Sequence, residues 1–324
     1  MQQLSQALRG LGYPRAGRYE QRAVGLSFQV SRAGMEMFGS VEAGSGQTGR
    51  QARSDTVTAG KPTSRPVFVV GSPRSGTTAV AWALGQHSRL WTSGEAYLAW
   101  HLLGTEPARL CLRSLFEEAA VLGEGSMVTS EQVTTTDLRR AIGSAIHEVF
   151  VRHSGGLRWV DHTPVQTLMI DVLAEAFPHA QFVHVLRDGR RVVESMLAFR
   201  KAIPTDTSER MRSAGWDPDW MRDVGAAART WSVYVNHALD FANLHPERVH
   251  TVRHEHLRQH PDRSIGSVLE FLSEAPEEGP TDYLQSEAVH PSFAPGADRA
   301  GIWTKNAVRT FDREAGATMN RVGY

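Results

Sequence analysis

Two short stretches of this sequence concentrate side chains able to grip an anion. The first, Gly71-Ser72-Pro73-Arg74-Ser75-Gly76-Thr77-Thr78, gathers glycines, hydroxyls and one guanidinium in a single turn. Glycine lets the backbone approach a phosphate, a helix N-terminus offers unpaired N–H groups and a partial positive charge, and Arg adds a bidentate cation. Ser75 and Gly76 belong to that cradle, and Arg74, Thr77 and Thr78 add side-chain donors. In the nucleoside-triphosphate loop the second glycine is followed by Lys and then Ser or Thr, whereas Gly76 here is followed by Thr77. A plain helix-capping turn is the alternative, but capping leaves the Arg within the turn unexplained. The second stretch is Arg187-Asp188-Gly189-Arg190-Arg191-Val192-Val193-Glu194-Ser195. A guanidinium at a strand end and a hydroxyl inside the following helix can be aimed at one phosphate. An Arg-Asp turn leading into a basic helix face is the competing reading.

The elements needed to hold these groups are visible around them. Pro66-Val67-Phe68-Val69-Val70 is the β-branched and aromatic run of a strand buried on both faces of a parallel sheet, with a helix expected over Ala79 to Gln86. Pro164 opens a second expected helix, its apolar stripe Val165, Leu168, Met169, Val172, Leu173 and Ala176 ending before Pro178. Gln181 to Leu186 reads as a strand and Gly189 to about Phe199 as its helix. Further on come a helix over Val224 to Ala242, a strand over Arg248 to Arg253 and a helix over Pro261 to Leu272, then an irregular connection from Ser273 to Pro295. Successive strand-helix units make the expected class α/β, a central, mostly parallel sheet flanked by helices. Ala43 to Arg65 has the composition of a flexible linker. The expected organisation is therefore an N-terminal extension and linker over 1–65 and one domain over 66–324.

The loop Gly-Ser-Pro-Arg-Ser-Gly-Thr-Thr at 71–78 resembles the 5′-phosphosulfate loop of sulfotransferases that use 3′-phosphoadenosine 5′-phosphosulfate (PAPS), in the variant with Arg where cytosolic enzymes carry Lys. The Arg187 and Ser195 pair resembles that family's 3′-phosphate site. Trp159-Val160-Asp161-His162-Thr163-Pro164 and Phe177-Pro178-His179-Ala180-Gln181-Phe182 are similar to the tyrosylprotein sulfotransferase and bacterial branch. The resemblance implies a P-loop-like three-layer fold, PAPS as cofactor, and a sulfuryl group moved to a hydroxyl of an acceptor that the sequence leaves unidentified. It implies that Glu95 of Gly94-Glu95 takes the proton from that hydroxyl. Where the branch usually has Lys before the Thr-Pro dipeptide this chain has His162, which could serve as acid, as donor, or as base in place of Glu95. Arg299, in Arg299-Ala300-Gly301-Ile302-Trp303-Thr304-Lys305, resembles a further 3′-phosphate contact, an amphipathic helix start being the alternative.

Composition bounds the reading. Of 324 residues 41% are hydrophobic and 22% charged, enough for a sizeable core. Thirty-five basic residues balance thirty-five acidic ones, so no net field favours nucleic acid or an anionic membrane, and any anion site must be local. The single Cys111, expected to be buried among Leu110 and Leu112, forms no intramolecular disulfide and suits a reducing compartment. With no apolar run of signal or spanning length near the N-terminus, the expectation is a cytoplasmic enzyme. His254-Glu255-His256 lacks the spacing of a zinc site and reads as a strand end and turn; no metal is expected. Two rivals remain: a kinase with a divergent phosphate loop, and a non-catalytic protein that binds the 3′,5′-bisphosphate of adenosine.

Overall fold

The computed structural model describes residues 65–122, 133–207, 209, 218–286 and 301–324. Its elements in chain order are β1 (Val67–Val70), α1 (Thr77–Leu84), β2 (Leu90–Thr92), a π-helical turn (Trp100–Gly104), α2 (Glu106–Leu122), α3 (Thr135–His153) and β3 (Arg158–Asp161). A 3-10 segment (Pro164–Met169), α4 (Ile170–Ala176), β4 (Gln181–Leu186), α5 (Gly189–Ala202), α6 (Val224–Leu244) and β5 (Val249–Arg253) follow. The last are α7 (His254–Gln259), α8 (Pro261–Leu272), α9 (Gly279–Gln285) and α10 (Lys305–Val322).

The sheet has five strands in the order β2-β3-β1-β4-β5, and every pairing is parallel. The alternation of β1 divides the core: Val67 and Val69 face α1 and α8, whereas Phe68 and Val70 face α3, α4 and Trp159. Both faces are covered, which is why β1, β3 and β4 are buried at every position. A third cluster joins Leu186 to α5, α6 and α10 around Trp231.

At the rim where the strands begin, Arg158 is almost wholly buried and spends its donors on several elements. Its Nη1 donates to the Leu272 carbonyl at 2.8 Å and to Glu274 at 3.0 Å, its Nη2 to Gln181 Oε1 at 2.6 Å, and its Nε to the Arg65 carbonyl at 2.6 Å. A buried guanidinium so fully matched is stable where an unmatched one is not.

The fold class and the strands after Pro66 and over Gln181 to Leu186 follow the sequence expectation. Other details differ. Helix α1 starts at Thr77 rather than Ala79, because Gly76 takes φ 106 and turns the chain into the helix at once. The segment after Pro164 is a 3-10 stretch and a short α-helix, broken at Met169 (φ −133), rather than one continuous helix. Most of its side chains are buried, so the apolar period that suggested one stripe marks a segment enclosed on several sides. The connection after Ser273 contains α9, and Cys111 is exposed on α2 rather than buried. Residues 1–64, including the expected extension and most of the linker, lie outside the described residues, as does Arg299.

Candidate active site

A parallel sheet sends the C-terminal ends of its strands to one rim, where ligands of open α/β folds bind. Here the residues that follow four strands meet at that rim: Gly71 after β1, His162 after β3, Arg187 after β4 and His254 after β5. The loop after β2 adds Glu95.

The loop at 71–78 is held from behind. The Thr167 hydroxyl accepts from the Gly71 N–H at 2.9 Å and donates to the Gly71 carbonyl at 3.1 Å, so one side chain fixes the first peptide of the loop. Ser75 turns both of its donors inward onto the Ser72 carbonyl, its Oγ at 2.6 Å and its N at 3.1 Å, and so shapes the turn. Gly71 has φ 152, and a Cβ there would lie 2.7 Å from the Val185 carbonyl. A Cβ on Gly76 would lie 2.6 Å from Nδ1 of His254. Both glycines are needed for the backbone to pass this closely. No side chain caps the N-terminus of α1, where Thr77 is buried and Thr78 exposed. Its first N–H groups therefore face the cradle with their helix dipole.

Arg74 adopts a left-handed φ of 70, a conformation non-glycine residues seldom hold without compensation. Arg187 supplies part of it, donating from Nη1 to the Arg74 carbonyl at 3.0 Å. The Arg74 guanidinium lies 5.1 Å over the Phe199 ring, and its Nε donates to Ser195 Oγ at 3.4 Å. The loop arginine, Arg187 and Ser195 thus share one cleft, with Arg74 reaching across it. Burial, and then the neighbouring charge of Arg187, push the Arg74 pKa down, while Glu95 opposes them. Two guanidiniums gathered in this way repel until an anion lies between them.

Glu95 is partly buried, and burial pushes its carboxyl up; the Tyr97 hydroxyl, donating to Oε2 at 2.5 Å, and Arg74 pull it down, and Asp161 pushes it up again. Just before the helical turn that begins at Leu98, Tyr97 has φ 53 and is held by its N–H to Thr163 Oγ1 at 3.3 Å. Thr163 Oγ1 in turn donates to Asp161 at 2.8 Å, and Gln166 Nε2 donates to the same carboxylate at 2.8 Å. A polar chain therefore runs from the end of β3 to Glu95. His162 is 1% exposed, its Nδ1 is buried without a hydrogen-bond partner, and burial holds its pKa below the usual imidazole range against the pull of Asp161. Burial therefore disfavours its cationic form.

A model described as the sulfotransferase family matches residues 66–278. The chain belongs to the sulfotransferase family. Curated relatives include protein-tyrosine sulfotransferase 1 of Danio rerio, 25% identical over 64% of this chain and 52% of its own length. Protein-tyrosine sulfotransferase 2 of Gallus gallus is 27% identical over 64% of this chain and 50% of its own length. An uncharacterized Aquifex aeolicus protein is 24% identical over 75% of this chain and 30% of its own length. The chain thus spans about half or less of these relatives. Among solved structures, the sulfotransferase domain of the Synechococcus PCC 7002 olefin synthase has TM-score 0.46 and 17% identity, covering 78% of this chain and 97% of that domain. The domain from the curacin biosynthetic pathway has TM-score 0.47 and 16% identity, over 80% and 98%.

In this sulfotransferase-family chain, sequence reasoning overlooked three residues of the rim. Thr167 lay between the positions of an apolar stripe and carried no signal of its own. His254 was set aside with a strand end; it opens α7, lies against Gly76, and is held to a pKa of about 4 by burial and then by Arg187. Its place directly after a core strand, like that of Arg187, was the available clue. Trp231 is core, but its indole N–H also donates to the Arg187 carbonyl at 3.1 Å. Among the described residues no helix is long and apolar enough to cross a membrane.

Proposed function

We propose that this chain is a PAPS-dependent sulfotransferase acting on an acceptor hydroxyl, with residues 66–324 as its domain and the cytoplasm as its compartment. The observation that carries the proposal is the convergence of two guanidiniums, from the loop after β1 and the end of β4, in one cleft, the Arg187 Nη1 lying 3.0 Å from the Arg74 carbonyl. Their repulsion is relieved by a polyanion, and the uncapped N-terminus of α1 beside them offers backbone N–H groups to phosphate oxygens. The residues therefore fit PAPS: the amides after Gly71 with Arg74, Thr77 and Thr78 on the 5′ side, and Arg187 and Ser195 on the 3′-phosphate. Bound there, PAPS supplies a sulfuryl group already activated by its link to phosphate.

The remaining chemistry falls to the chain. Glu95 is the candidate base, because burial raises a carboxyl toward the pH at which it both ionises and accepts a proton well. With Oε2 engaged by Tyr97, Oε1 is the atom that would take the proton from the acceptor hydroxyl. His162 is a hydrogen-bonding partner in this proposal rather than a cation. Protein-tyrosine relatives make a phenol one acceptor worth testing.

The test is calorimetry with adenosine 3′,5′-bisphosphate on wild type, Arg74→Ala and Arg187→Ala. Each lost charge-assisted contact should weaken binding about 10- to 100-fold. Wild-type affinity in both variants would remove the cofactor from this cleft and the proposal with it. Labelled PAPS with phenols, sugars and alcohols then identifies the acceptor.

A further inference from the structure

The peptide unit that joins Arg187 to Asp188 is gripped at both ends. Its carbonyl accepts from the indole N–H of Trp231 at 3.1 Å, and its N–H donates to Glu255 Oε1 at 3.0 Å. The grips come from α6 on one side and α7 on the other. Trp231 comes this close because Gly189 has no side chain; a Cβ there would lie 2.8 Å from the indole ring. Fixing a peptide plane fixes ψ of the residue before it and φ of the residue after it. Here that residue is the arginine whose guanidinium also donates to the Arg74 carbonyl.

Glu255 does not stand alone. The Tyr324 hydroxyl donates to its other oxygen, Oε2, at 2.6 Å, across 69 positions of sequence. The Arg253 guanidinium lies 4.7 Å over the Tyr324 ring and donates to the Val322 carbonyl, which fixes the tyrosine in place. Burial pushes the Glu255 carboxyl up, but Tyr324 and the Asp188 amide outweigh it and keep the group ionised. A charged acceptor makes the stronger bond to the amide.

We infer that Tyr324 and Glu255 are positioning residues for recognition of the 3′-phosphate: through the Arg187–Asp188 peptide they set the aim of Arg187, although neither need touch the nucleotide. The inference rests on the proposed 3′-phosphate role of Arg187. Its signature is a preferential loss: Arg187 also braces the 5′-side loop through the Arg74 carbonyl, so both nucleotides lose some affinity, but the larger loss should fall on the one that carries the 3′-phosphate.

The experiment compares affinities for adenosine 3′,5′-bisphosphate and adenosine 5′-monophosphate in wild type, Arg187→Ala, Tyr324→Phe, Glu255→Ala and Glu255→Gln. The preference for the bisphosphate should fall about tenfold in Tyr324→Phe and Glu255→Ala, with Glu255→Gln recovering part of it through its amide oxygen. Amide exchange at Asp188 should quicken in Glu255→Ala, a readout that needs no ligand. An unchanged preference, or equal weakening of both nucleotides, would overturn the inference while Arg187→Ala still abolished the preference. If Arg187→Ala itself left the preference intact, the site assignment would fail first and take the inference down with it. Tyr324 is only partly buried, so the Phe variant tests the idea even if Glu255→Ala folds poorly.

Discussion

Substituting Gly76 by Ala places a methyl group where the structure has none to spare. The backbone there has φ 106, which an L-residue adopts at a cost of about 1–2 kcal/mol. The added Cβ would also meet His254, 2.6 Å from Nδ1 and 3.2 Å from Cε1, well inside the ~3.5–4.0 Å of an ordinary contact. Relieving that overlap means moving the ring or the loop, and overpacking of this kind costs about 1–3 kcal/mol. The sum, about 2–5 kcal/mol, should appear in urea denaturation, with nucleotide affinity falling because the amides of α1 shift with the loop. Removing the ring separates the two parts: Gly76→Ala with His254→Ala should recover the contact share and keep the backbone share. The cycle should therefore be strongly non-additive. A Gly76→Ala protein within ~0.5 kcal/mol of wild type, or a double variant whose loss equals the two single losses added together, would refute the packing of His254 against the loop.

Tyr97→Phe removes a hydrogen bond that favours the charged form of Glu95, so the carboxyl should titrate at higher pH than in wild type. Because a base works only when ionised, the acid limb of kcat/KM should move upward; carbon-13 NMR of labelled glutamate, assigned with Glu95→Gln, reads the same change without an acceptor, and movement downward would contradict it. Thr167→Val strands the Gly71 N–H and carbonyl in a buried setting, with an expected loss of about 1–3 kcal/mol in chemical denaturation and a looser phosphate loop. Glu274→Ala leaves Arg158 with an uncompensated buried charge and should cost about 3–5 kcal/mol by the same measurement; a loss below ~1 kcal/mol would show the pair to be solvated.

The strand that carries Arg187 was legible because a run such as Gln-Phe-Val-His-Val-Leu, buried on both sides, has few other readings. Helix α8 was equally plain, with Pro261 at its start and Ile265, Val268, Leu269 and Leu272 inward. The turn at 71–78 was legible for a different reason, since glycines directly after a buried strand mark the passage into the next helix. Hidden from sequence was everything set by contact between distant segments. Tyr97 gives no sign in sequence of its φ of 53, which goes with an N–H contact to Thr163, 66 positions away. Strand β2 is too short, at Leu90–Thr92, to announce itself, and its role comes from pairing with β3. The partnership of Tyr324 with Glu255, like that of Thr167 with Gly71, links positions whose residue types are unremarkable alone.

The Arg158 cluster ties the strand beginnings together at the rim opposite to the proposed nucleotide cleft. What keeps the sheet assembled and what is proposed to hold its ligand are therefore anchored at opposite poles, a few residues apart along each strand. The lower pole can be strengthened, or deliberately weakened, without redrawing the upper one. An engineer seeking a hardier catalyst, or a lineage drifting toward a new acceptor, works with two dials that turn independently.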